Sequence, residues 1–552
     1  MEPQQRFSGD QADQAISVAL AHHRAGRLGE AEKIYRQVLV REPSHPDALQ
    51  LLGVCYGQSG QPEKAVALIS RALAIRPDVA EFHGNLGEFL RALGRIPESI
   101  ASLERAVALN GSDAVIRNNF GVSLAEARQC EAAIAQFRRA IELKGDYPDP
   151  HSNMGAALNA MDRFEEALAE IQTAIAMNPQ LPGAYINLGD VQFSRGEFSQ
   201  AISTLSQALS FNPNDAKVHA NLALVYLVTG DFERGWREFE WRLRVPEIVG
   251  RRELAQPRWD GGELQGKTIL LHAEQGFGDT IQFGRFIGQV AGRGGKVILE
   301  SPVETLRLFR DFPGVWELAE RGKPLPHFDV QCPLMSLAWV FGVTEQTIPQ
   351  SVPYLKADAE LARQWAGRFD AAGDRLRVGL AWAGRPEHAK DRNRSMKLEQ
   401  FAPLASVENA VFYSLQKGEA AAQAAKPPSG LNLTDWTNEV RDFTDSAAMI
   451  EHLDLLVTVD TSVAHLAAAM GKRVWLLLPR FPDWRWMLDR PDSPWYPTMR
   501  LFRQTTRGDW AEVLRRVVEA MRLEILANGK DLPRRPGGFA CPGEERQGNA
   551  KE

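Results

Sequence analysis

The feature that most constrains the fold of this chain is an internal repeat with a period of 34 residues in its first half. Prolines or glycines mark one point of each period: Pro43, Pro77, Gly111, Gly145, Pro179 and Pro213. Ten residues later comes a second small residue: Gly53, Gly87, Gly121, Gly155, Gly189 and Ala223. A third series keeps the same period: Ala31, Ala65, Ser99, Ala133, Ala167, Ala201 and Gly235. Small residues at fixed spacing predict helices that approach closely, stacked in an array.

The period and its small residues resemble the tetratricopeptide repeat, a helix-turn-helix unit. We assign about seven units to residues 12–249, after a flexible N-terminus of residues 1–11. The last unit is divergent and ends in GDFERGWREFEWRLRVPE. Stacked units of this family form a right-handed superhelix with a concave groove, which implies a surface that binds a peptide or a protein partner.

An asparagine recurs two residues before the second small residue of five units. These are Asn85, Asn119, Asn153, Asn187 and Asn221. A carboxamide both donates and accepts hydrogen bonds, so a row of them on the groove wall would hold an extended acceptor by its backbone. This half of the chain resembles protein O-linked N-acetylglucosamine transferases, which use such a ladder. Asparagine is also common at this position in repeats that hold no extended peptide, so both interpretations stay open.

From about residue 255 the periodicity changes to that of a βαβ unit. KTILLHA (267–273) and KVILESP (296–302) are short apolar strands. Between them, apolar residues recur at helical spacing: Phe283, Phe286, Ile287 and Val290.

A second alternation of strands and helices begins after RFDAAGDRLR (368–377), a polar connector that contains glycine. RVGLAWAG (377–384) and VFYSLQKG (411–418) predict strands, and TVDTSVAHLAAAMGKRVWLLLP (458–479) predicts a strand end, a turn, a short helix and a strand. Two Rossmann-like lobes, residues 250–370 and 371–525, follow from this pattern. Ligands bind at the carboxyl ends of the strands in sheets of this kind.

The loop after the first predicted strand, HAEQGFGDTIQF, carries a candidate site residue. Gly276 and Gly278 permit a tight backbone path, and Asp279 stands at the start of a helix. The loop lacks the third glycine of a dinucleotide fingerprint. Asp279 is therefore either a helix cap or a functional carboxylate.

Three loops of the second lobe predict a site for a diphosphate. AWAGRPEHAKDRNRSMKL places cations and a hydroxyl after a strand: Lys390, Arg392, Arg394 and Ser395. Gln416 and Lys417 follow the next strand. Asp460, Thr461, Ser462 and His465 surround a helix start, whose unpaired N–H groups suit an anion. The alternative for the basic loop is a solvated surface turn.

The segment FPDWRWMLDRPDSPWYPTMRLFRQ (481–504) is rich in aromatic residues. Flat rings stack on sugars or bases, but clusters of this kind also form core. We expect core positions for most of these rings, and contacts to a sugar nucleotide for Trp484 and Arg485.

Residues 260–523 resemble the GT-B glycosyltransferases of the lipopolysaccharide heptosyltransferase type. The marks are the GD turn at Gly278-Asp279 and the segment DTSVAHLAA from Asp460, with Ser462 where glycine is frequent. Over residues 12–523 the chain is similar to bacterial repeat-fused glycosyltransferases, including some thought to glycosylate flagellin.

The resemblance implies an all-α tetratricopeptide superhelix followed by an α/β GT-B domain of two lobes. It implies that Asp279 is the general base on an acceptor hydroxyl. Arg394 and Lys417 would stabilise the departing nucleoside diphosphate, and Asp460, Thr461 and His465 would bind the donor. The expected reaction is inverting and independent of metal, with a nucleotide sugar as co-substrate and no cofactor.

Three functions are open on this evidence. The chain is a transferase with a protein acceptor in the repeat groove, or one that acts on a surface or lipid-linked glycan while the repeats recruit partners. The third hypothesis is an adaptor with a decayed transferase domain.

Composition limits the classes of partner and the location that we expect. The net charge of -6 argues against nucleic acid as a partner, and no stretch is apolar and long enough for a membrane span. The four cysteines show no zinc or disulfide spacing, which fits a cytoplasmic protein. Residues 526–552 are polar and rich in glycine, proline and charge, which predicts a disordered tail.

Overall fold

The computed structural model describes residues 9–250, 252, 254–386 and 391–528. The chain divides into two compact units, Met1–Asn214 and Asp215–Glu552. The division falls inside the predicted repeat array of residues 12–249, so the seventh repeat belongs to the second unit. Most of the predicted flexible N-terminus, Lys390, and most of the predicted tail lie outside the described residues.

Fourteen α-helices, in seven consecutive pairs, make up the repeats in the described part of the chain. They are α1 (Gly9–Arg24), α2 (Leu28–Arg41), α3 (Pro46–Gln58), α4 (Pro62–Ile75), α5 (Ala80–Ala92), α6 (Ile96–Leu109), α7 (Ala114–Glu126), α8 (Cys130–Leu143), α9 (Pro148–Ala160), α10 (Phe164–Met177), α11 (Pro182–Arg195), α12 (Phe198–Phe211), α13 (Ala216–Val228) and α14 (Phe232–Phe239). The all-α repeat region is confirmed. Because α1 begins at Gly9, the prediction of a flexible stretch through residue 11 is wrong for its last residues.

The periodic glycines let the two helices of a repeat touch. A Cβ atom on Gly121 would lie 2.5 Å from the Phe137 ring, and one on Gly155 would lie 2.4 Å from Ile171. Such distances are far shorter than a van der Waals contact, so a larger side chain would force the helices apart. The third series is buried on the facing helices, and Ala133 and Ala167 have no exposed surface. The sequence periodicity therefore encodes helix contact directly.

The second unit continues with short helices and ten strands in the residues described. The strands are β1 (Thr268–His272), β2 (Lys296–Ser301), β3 (Val315–Glu320), β4 (Val330–Pro333), β5 (Leu376–Ala381), β6 (Ala410–Ser414), β7 (Leu433–Asp435), β8 (Leu455–Val459), β9 (Val474–Leu478) and β10 (Met499–Arg503). The α-helices are α15 (Pro246–Val249), α16 (Phe277–Phe283), α17 (Ile287–Ala291), α18 (Val303–Leu306), α19 (Leu337–Val340), α20 (Ala359–Ala366), α21 (Asp391–Arg394), α22 (Phe443–Ile450), α23 (Ser462–Ala469) and α24 (Trp510–Asn528).

Short 3-10 helices join these elements. They are Glu240–Arg244, Gly284–Phe286, Arg307–Phe309, Leu334–Ser336, Glu345–Thr347, Gly367–Ala372, Leu398–Ser406, Glu419–Ala425, Thr437–Glu439 and Trp484–Trp486. Two predicted boundaries are therefore wrong. The connector of residues 368–377 holds a 3-10 helix and the first residues of β5, and α24 continues to Asn528, past the predicted start of the tail.

The strands form two parallel sheets, one in each predicted lobe. The first has the order β3-β2-β1-β4, with β1 paired to both β2 and β4. The second has the order β10-β9-β8-β5-β6-β7. Counted along the chain, this is the order 3-2-1-4-5-6 of a doubly wound sheet. The prediction of an α/β region with parallel sheets is confirmed.

The second sheet is buried on both faces, as parallel sheets are. Val457, Trp475 and Leu477 have no exposed surface, and α24 packs against the same core through Val513 and Val517. Apolar runs such as RVWLLLP therefore mark central strands.

The seventh repeat is anchored in the second unit by Trp236 of α14. Its indole Nε1 donates to the Val343 carbonyl over 2.8 Å, and its ring lies edge-on to Phe283 of the first lobe. The same ring meets Trp484 and Trp495 of the second lobe. One side chain of the repeat thus contacts both lobes.

Candidate functional site

The order in which strands are added to the second sheet reverses between β5 and β8, and the loops after these two strands line the resulting crevice. In a doubly wound sheet this is the point where a ligand binds. The loop after β1 of the first sheet approaches it from the other lobe, through contacts described below.

The turn after β8 carries Asp460, Thr461 and Ser462. Asp460 is buried, and burial raises the pKa of its carboxyl while the Arg394 guanidinium lowers it. Thr461 is the N-cap of α23, but its side chain does not cap the helix. Its hydroxyl lies 3.2 Å from that of Thr458. The Thr461 side chain therefore leaves the start of α23 uncapped, while the Ala464 N–H donates to the Thr461 carbonyl over 3.0 Å.

His465, one turn into α23, is buried, with its Nδ1 atom 3.0 Å from the Tyr496 hydroxyl. Burial lowers the pKa of this histidine well below its ordinary value, so the ring is neutral near pH 7. His465 therefore brings no positive charge to a phosphate. Its ring instead faces Gly278 of the first lobe.

The loop after β5 is folded around Gly384. Its N–H donates to the Ser395 hydroxyl over 2.8 Å, and a Cβ atom here would lie 2.7 Å from a guanidinium nitrogen of Arg394. Arg394 also donates to Asp391 over 3.3 Å. The backbone and the Arg394 cation thus meet at the crevice only because residue 384 has no side chain.

Gln416 and Lys417 follow β6, but the side chains of both form hydrogen bonds with backbone groups of the protein. The Gln416 amide oxygen accepts from the N–H groups of Trp382 and Ala383, and its nitrogen donates to the carbonyls of Ala383 and Lys417. The Lys417 ammonium donates to the carbonyls of Thr437 and Val440 over 2.8 and 2.9 Å. These two side chains hold the loops in place.

The turn after β1 presents Asp279 in the first turn of α16. One carboxylate oxygen accepts from the Gly276 N–H over 2.8 Å, and the other accepts from the Arg485 guanidinium. Burial raises the pKa of Asp279, against the lowering effect of Arg485.

Neither glycine of this turn has a positive φ, so the tight path does not depend on left-handed backbone. Gly278 is needed for proximity instead. A Cβ atom there would lie 2.8 Å from the His465 ring, so the glycine lets α16 of one lobe touch α23 of the other.

Trp484 and Arg485 face protein groups in this structure. Trp484 is 3% exposed and stands edge-on to the Trp236 ring, 5.1 Å between centroids. Arg485 is buried and binds side chains of both lobes. Trp486, Trp495 and Tyr496 have no exposed surface, so the expectation of core positions for the other rings is confirmed.

A cavity of about 310 Å³ lies at the carboxyl ends of the first sheet. It is lined by the turns after β1, β2 and β3 and by Arg385 of the second lobe. Arg385 stacks over the Phe277 ring at 4.2 Å, and Phe277 meets Phe443 at 5.1 Å between centroids. The lobes meet at this edge.

The predicted asparagine ladder is half-buried along the first helices of the repeats. Asn153 donates to Asn118 of the preceding repeat over 3.0 Å, and Asn187 donates to the Ser152 hydroxyl over 2.9 Å. Asn85, Asn119 and Asn221 occupy equivalent positions. Two of the carboxamides thus also join neighbouring repeats.

Sequence patterns did not single out Asp391, Gln282 or Asp483, which bind the site's arginines. The sequence pointed to these three residues only through their position in a loop or helix that also carries a predicted site residue. Gly384 could have been found, because a glycine directly after a buried strand often permits a close approach.

Models of the tetratricopeptide repeat family match residues 22–84 and 160–225, and a second such model matches residues 56–114. The predicted repeats are confirmed by these matches. Within the described residues no helix has the length and apolar character to cross a membrane.

Protein FlbA of Caulobacter vibrioides is 25% identical over 312 residues, which are 52% of this chain and 52% of FlbA. The chain therefore spans about half the length of this curated relative. Among solved structures, a tetratricopeptide repeat protein from Parabacteroides merdae is 15% identical, with a TM-score of 0.37, over 42% of this chain and 92% of that one. Pseudomonas aeruginosa pilF is 21% identical, with a TM-score of 0.33, over 38% and 96% of the two chains.

Proposed function

We propose that this protein is an inverting GT-B glycosyltransferase that moves a sugar from a nucleotide donor to a protein acceptor held by its tetratricopeptide repeats. The observation that carries the proposal is the meeting of Asp279 with the β5–β8 crevice. Asp279 of one lobe pairs with Arg485 of the other, and Gly278 beside it lies against His465 of α23, the helix that follows β8.

The β5–β8 crevice suits the diphosphate of the donor. The α23 N-terminus has no side-chain cap from Thr461, so its first backbone N–H groups would be available to a phosphate, and the helix dipole adds partial positive charge. Arg394 adds a full positive charge beside Gly384. Together they would stabilise the diphosphate as it leaves with the bonding electron pair.

Asp279 suits the role of general base. The acceptor hydroxyl oxygen would bond to the anomeric carbon, its proton would pass to the carboxylate, and the carbon–phosphate oxygen bond would break on the opposite side. A raised pKa makes the carboxylate a better proton acceptor while it stays ionised.

The repeats support a protein acceptor because arrays of this family are binding surfaces. Tethering such a surface to a transferase raises the effective concentration of the acceptor. Asn85 and Asn119 would hold its backbone in this proposal.

Donor binding is tested by thermal unfolding of the full chain with a panel of UDP-, GDP-, CMP- and dTDP-sugars. A ligand at a hundred times its Kd stabilises the folded state by about 2.7 kcal/mol. All 13 tryptophans lie between residues 236 and 510, so their fluorescence follows the second unit. We expect one donor class to raise its melting temperature.

The matched variants are Arg394→Gln and Arg377→Gln. Both arginines pair with an aspartate and have similar side-chain exposure, 19% and 21%, but Arg377 lies at the other end of β5. The stabilisation should disappear in the first variant and remain in the second. No stabilisation by any donor would favour the adaptor hypothesis.

The acceptor site is tested by transfer of labelled sugar to proteins of a bacterial lysate. The double variant Asn85→Ala, Asn119→Ala should lose transfer and keep donor binding. Arg105→Ala on the second helix of the third repeat, with a side chain 52% exposed, is the control. Unchanged transfer by the asparagine variant would contradict an acceptor in the groove, and transfer to lipid-linked glycan alone would favour the second hypothesis.

A further inference from the structure

Asp279 and Arg485 lie in different lobes and 206 positions apart in the sequence, yet their side chains form an ion pair. We propose that Arg485 is a positioning residue that orients the Asp279 carboxylate and keeps it ionised only while the two lobes stand in this arrangement. The inference rests on the proposed function. It gives Arg485 a role other than the predicted contact with a donor.

Each nitrogen of the Arg485 guanidinium has its own acceptor. Nε donates to the Gln282 side-chain oxygen over 2.6 Å, Nη1 donates to Asp483 over 2.8 Å, and Nη2 donates to Asp279. Gln282 and Asp279 lie one turn apart on α16 of the first lobe, whereas Asp483 belongs to the second. Since the guanidinium is planar, three fixed acceptors determine where Nη2 points.

The carboxylate is held at both oxygens. The oxygen that does not bind Arg485 accepts from the Gly276 N–H. A carboxylate oxygen can accept a second hydrogen bond, so this arrangement leaves room for a hydroxyl proton. The Asp279 side chain is 19% exposed, which permits an acceptor to reach it.

The other charged and titratable groups near Asp279 make the cation necessary. Glu274 from the β1 turn and Asp483 from the second lobe both raise the pKa of Asp279, in the same direction as burial. His465 of α23 is neutral and adds no compensating charge. Without Arg485, burial and two neighbouring carboxylates would favour protonation, and a protonated Asp279 cannot accept a proton.

Because the ion pair joins the two lobes, the orientation of Asp279 depends on contact between them. Arg485 lies between β9 and β10 of the second lobe, so separation of the lobes would withdraw it from α16. Gly278, the neighbour of Asp279, lies against the His465 ring, and separation of the lobes would also break this contact. Asp279 is therefore fixed as a base only when both lobes surround the reactants.

The test titrates Asp279 in the full chain labelled with ¹³C-aspartate, with its carboxyl resonance assigned by its absence from Asp279→Asn. The variants are Arg485→Gln, which removes the charge, Arg485→Lys, which keeps it, and Asp483→Asn, which removes a neighbouring carboxylate. Near-ultraviolet circular dichroism checks that each variant is folded. The wild type, Arg485→Gln, Arg485→Lys and Asp483→Asn are then assayed for kcat/KM against pH, with the donor that stabilises the wild type.

The Asp279 midpoint should rise by about 1 to 3 pH units in Arg485→Gln, stay close to wild type in Arg485→Lys, and fall in Asp483→Asn. The acidic limb of kcat/KM should move in the same directions. One pH unit below the midpoint of Arg485→Gln, the kcat of that variant should be about tenfold below its plateau, with little change in KM, and lysine should restore much of it at the same pH.

An unmoved midpoint in Arg485→Gln would overturn the inference, even if activity fell. Equal shifts in the lysine and glutamine variants would also overturn it, because they would indicate a packing role. A midpoint that moves as expected in a protein that consumes no sugar nucleotide would keep the Arg485 assignment and remove the proposed function. The two failures are thus distinguishable.

Discussion

The two parallel sheets of the second unit differ in what occupies the crevice at their carboxyl ends. In the first sheet, the space between the loops after β1 and β4 holds Arg242, which comes from the end of the seventh repeat and has no exposed surface. Its guanidinium donates to Glu274 over 2.6 Å and to the Ser336 hydroxyl over 3.0 Å. In the second sheet, the equivalent space between β5 and β8 is lined by Gly384 and the start of α23.

The comparison teaches that the same topology serves two purposes. A buried ion pair joins a repeat to the first sheet, so that crevice is used for attachment. Beside it, the first lobe has a cavity lined by the turns after β1, β2 and β3. The β5–β8 crevice keeps features that suit an anion. Under the proposed function, one lobe would hold the base and the other would hold the diphosphate.

Breaking the Arg242–Glu274 pair should have the largest effect. Arg242→Ala leaves Glu274 buried without its cation, and removing one member of a buried pair costs about 3 to 5 kcal/mol. Urea unfolding followed by tryptophan fluorescence measures the loss. Arg244→Ala, on the same 3-10 helix but exposed, is the control, with a change within about 0.5 kcal/mol.

The double variant Arg242→Met, Glu274→Leu should recover much of the stability, since apolar side chains can replace a buried pair. A cost below about 1 kcal/mol for Arg242→Ala would show that the first crevice does not depend on the repeat.

The second comparison concerns the contact between α16 and α23. Gly278→Ala places a Cβ atom against the buried His465 ring, and overpacking of this kind costs about 1 to 3 kcal/mol. The matched control is Gly288→Ala in α17, where no atom lies within 4 Å of the added Cβ and helix propensity should give a small gain. Equal stability of the two variants, measured by the same urea unfolding, would contradict a tight contact between the lobes.

The two lobes can also be compared by the pH dependence of stability. In the first lobe the relevant group is His272, at the end of β1. This histidine lies 3.0 Å from the Gln331 side-chain oxygen, and burial lowers its pKa from 6.5 to about 4. Between those values the unfolded chain binds a proton that the folded chain does not, so stability falls as the pH falls. From pH 6.5 to 5.5 the loss should be about 1 kcal/mol, because only half of the unfolded chains carry this proton at pH 6.5.

His272→Gln should remove this contribution, which is measured by unfolding the wild type and the variant at both pH values. His465→Gln tests the second lobe in the same way, because burial also lowers its pKa. An unchanged difference between the two pH values in His272→Gln would mean that His272 is protonated in the folded protein.

The smallest effect is expected at the rim of the lobe contact. Arg307 donates to Asp442 over 2.8 Å, but its side chain is 31% exposed. Exposed ion pairs contribute about 0.2 to 1 kcal/mol, so Arg307→Gln should cost less than the other variants and lose even this effect in high salt. Asp442→Ala should cost more, because Asp442 also caps α22 through the Thr444 N–H.

Much of the architecture could be predicted from the sequence because it is written in local patterns. The small residues of the repeats mark the helix contacts, and each contact lies within one repeat, as with Gly121 and Phe137. Short apolar runs predicted the strands. Asp279 and Asp460 follow two of these runs, so the sequence placed both residues in loops after strands. The helix start at Ser462 was visible for the same reason.

Only the tertiary structure decided which of these residues meet. Arg242 lay in a stretch assigned to the repeats, and Arg485 was expected to contact a donor from within an aromatic segment expected to be mostly core. Their partners, Glu274 and Asp279, are 32 and 206 positions away. Lys417 looked like a phosphate ligand in the sequence, whereas its ammonium binds two carbonyls.

The sequence by itself determined the repeats, the two sheets and the loops from which the candidate site is built, because helix and strand periodicity depend on neighbours a few residues apart. The tertiary structure decided the pairing of Asp279 with Arg485, the filling of one crevice by Arg242 and the neutral state of His465. Those depend on how distant segments pack and on the burial that packing produces.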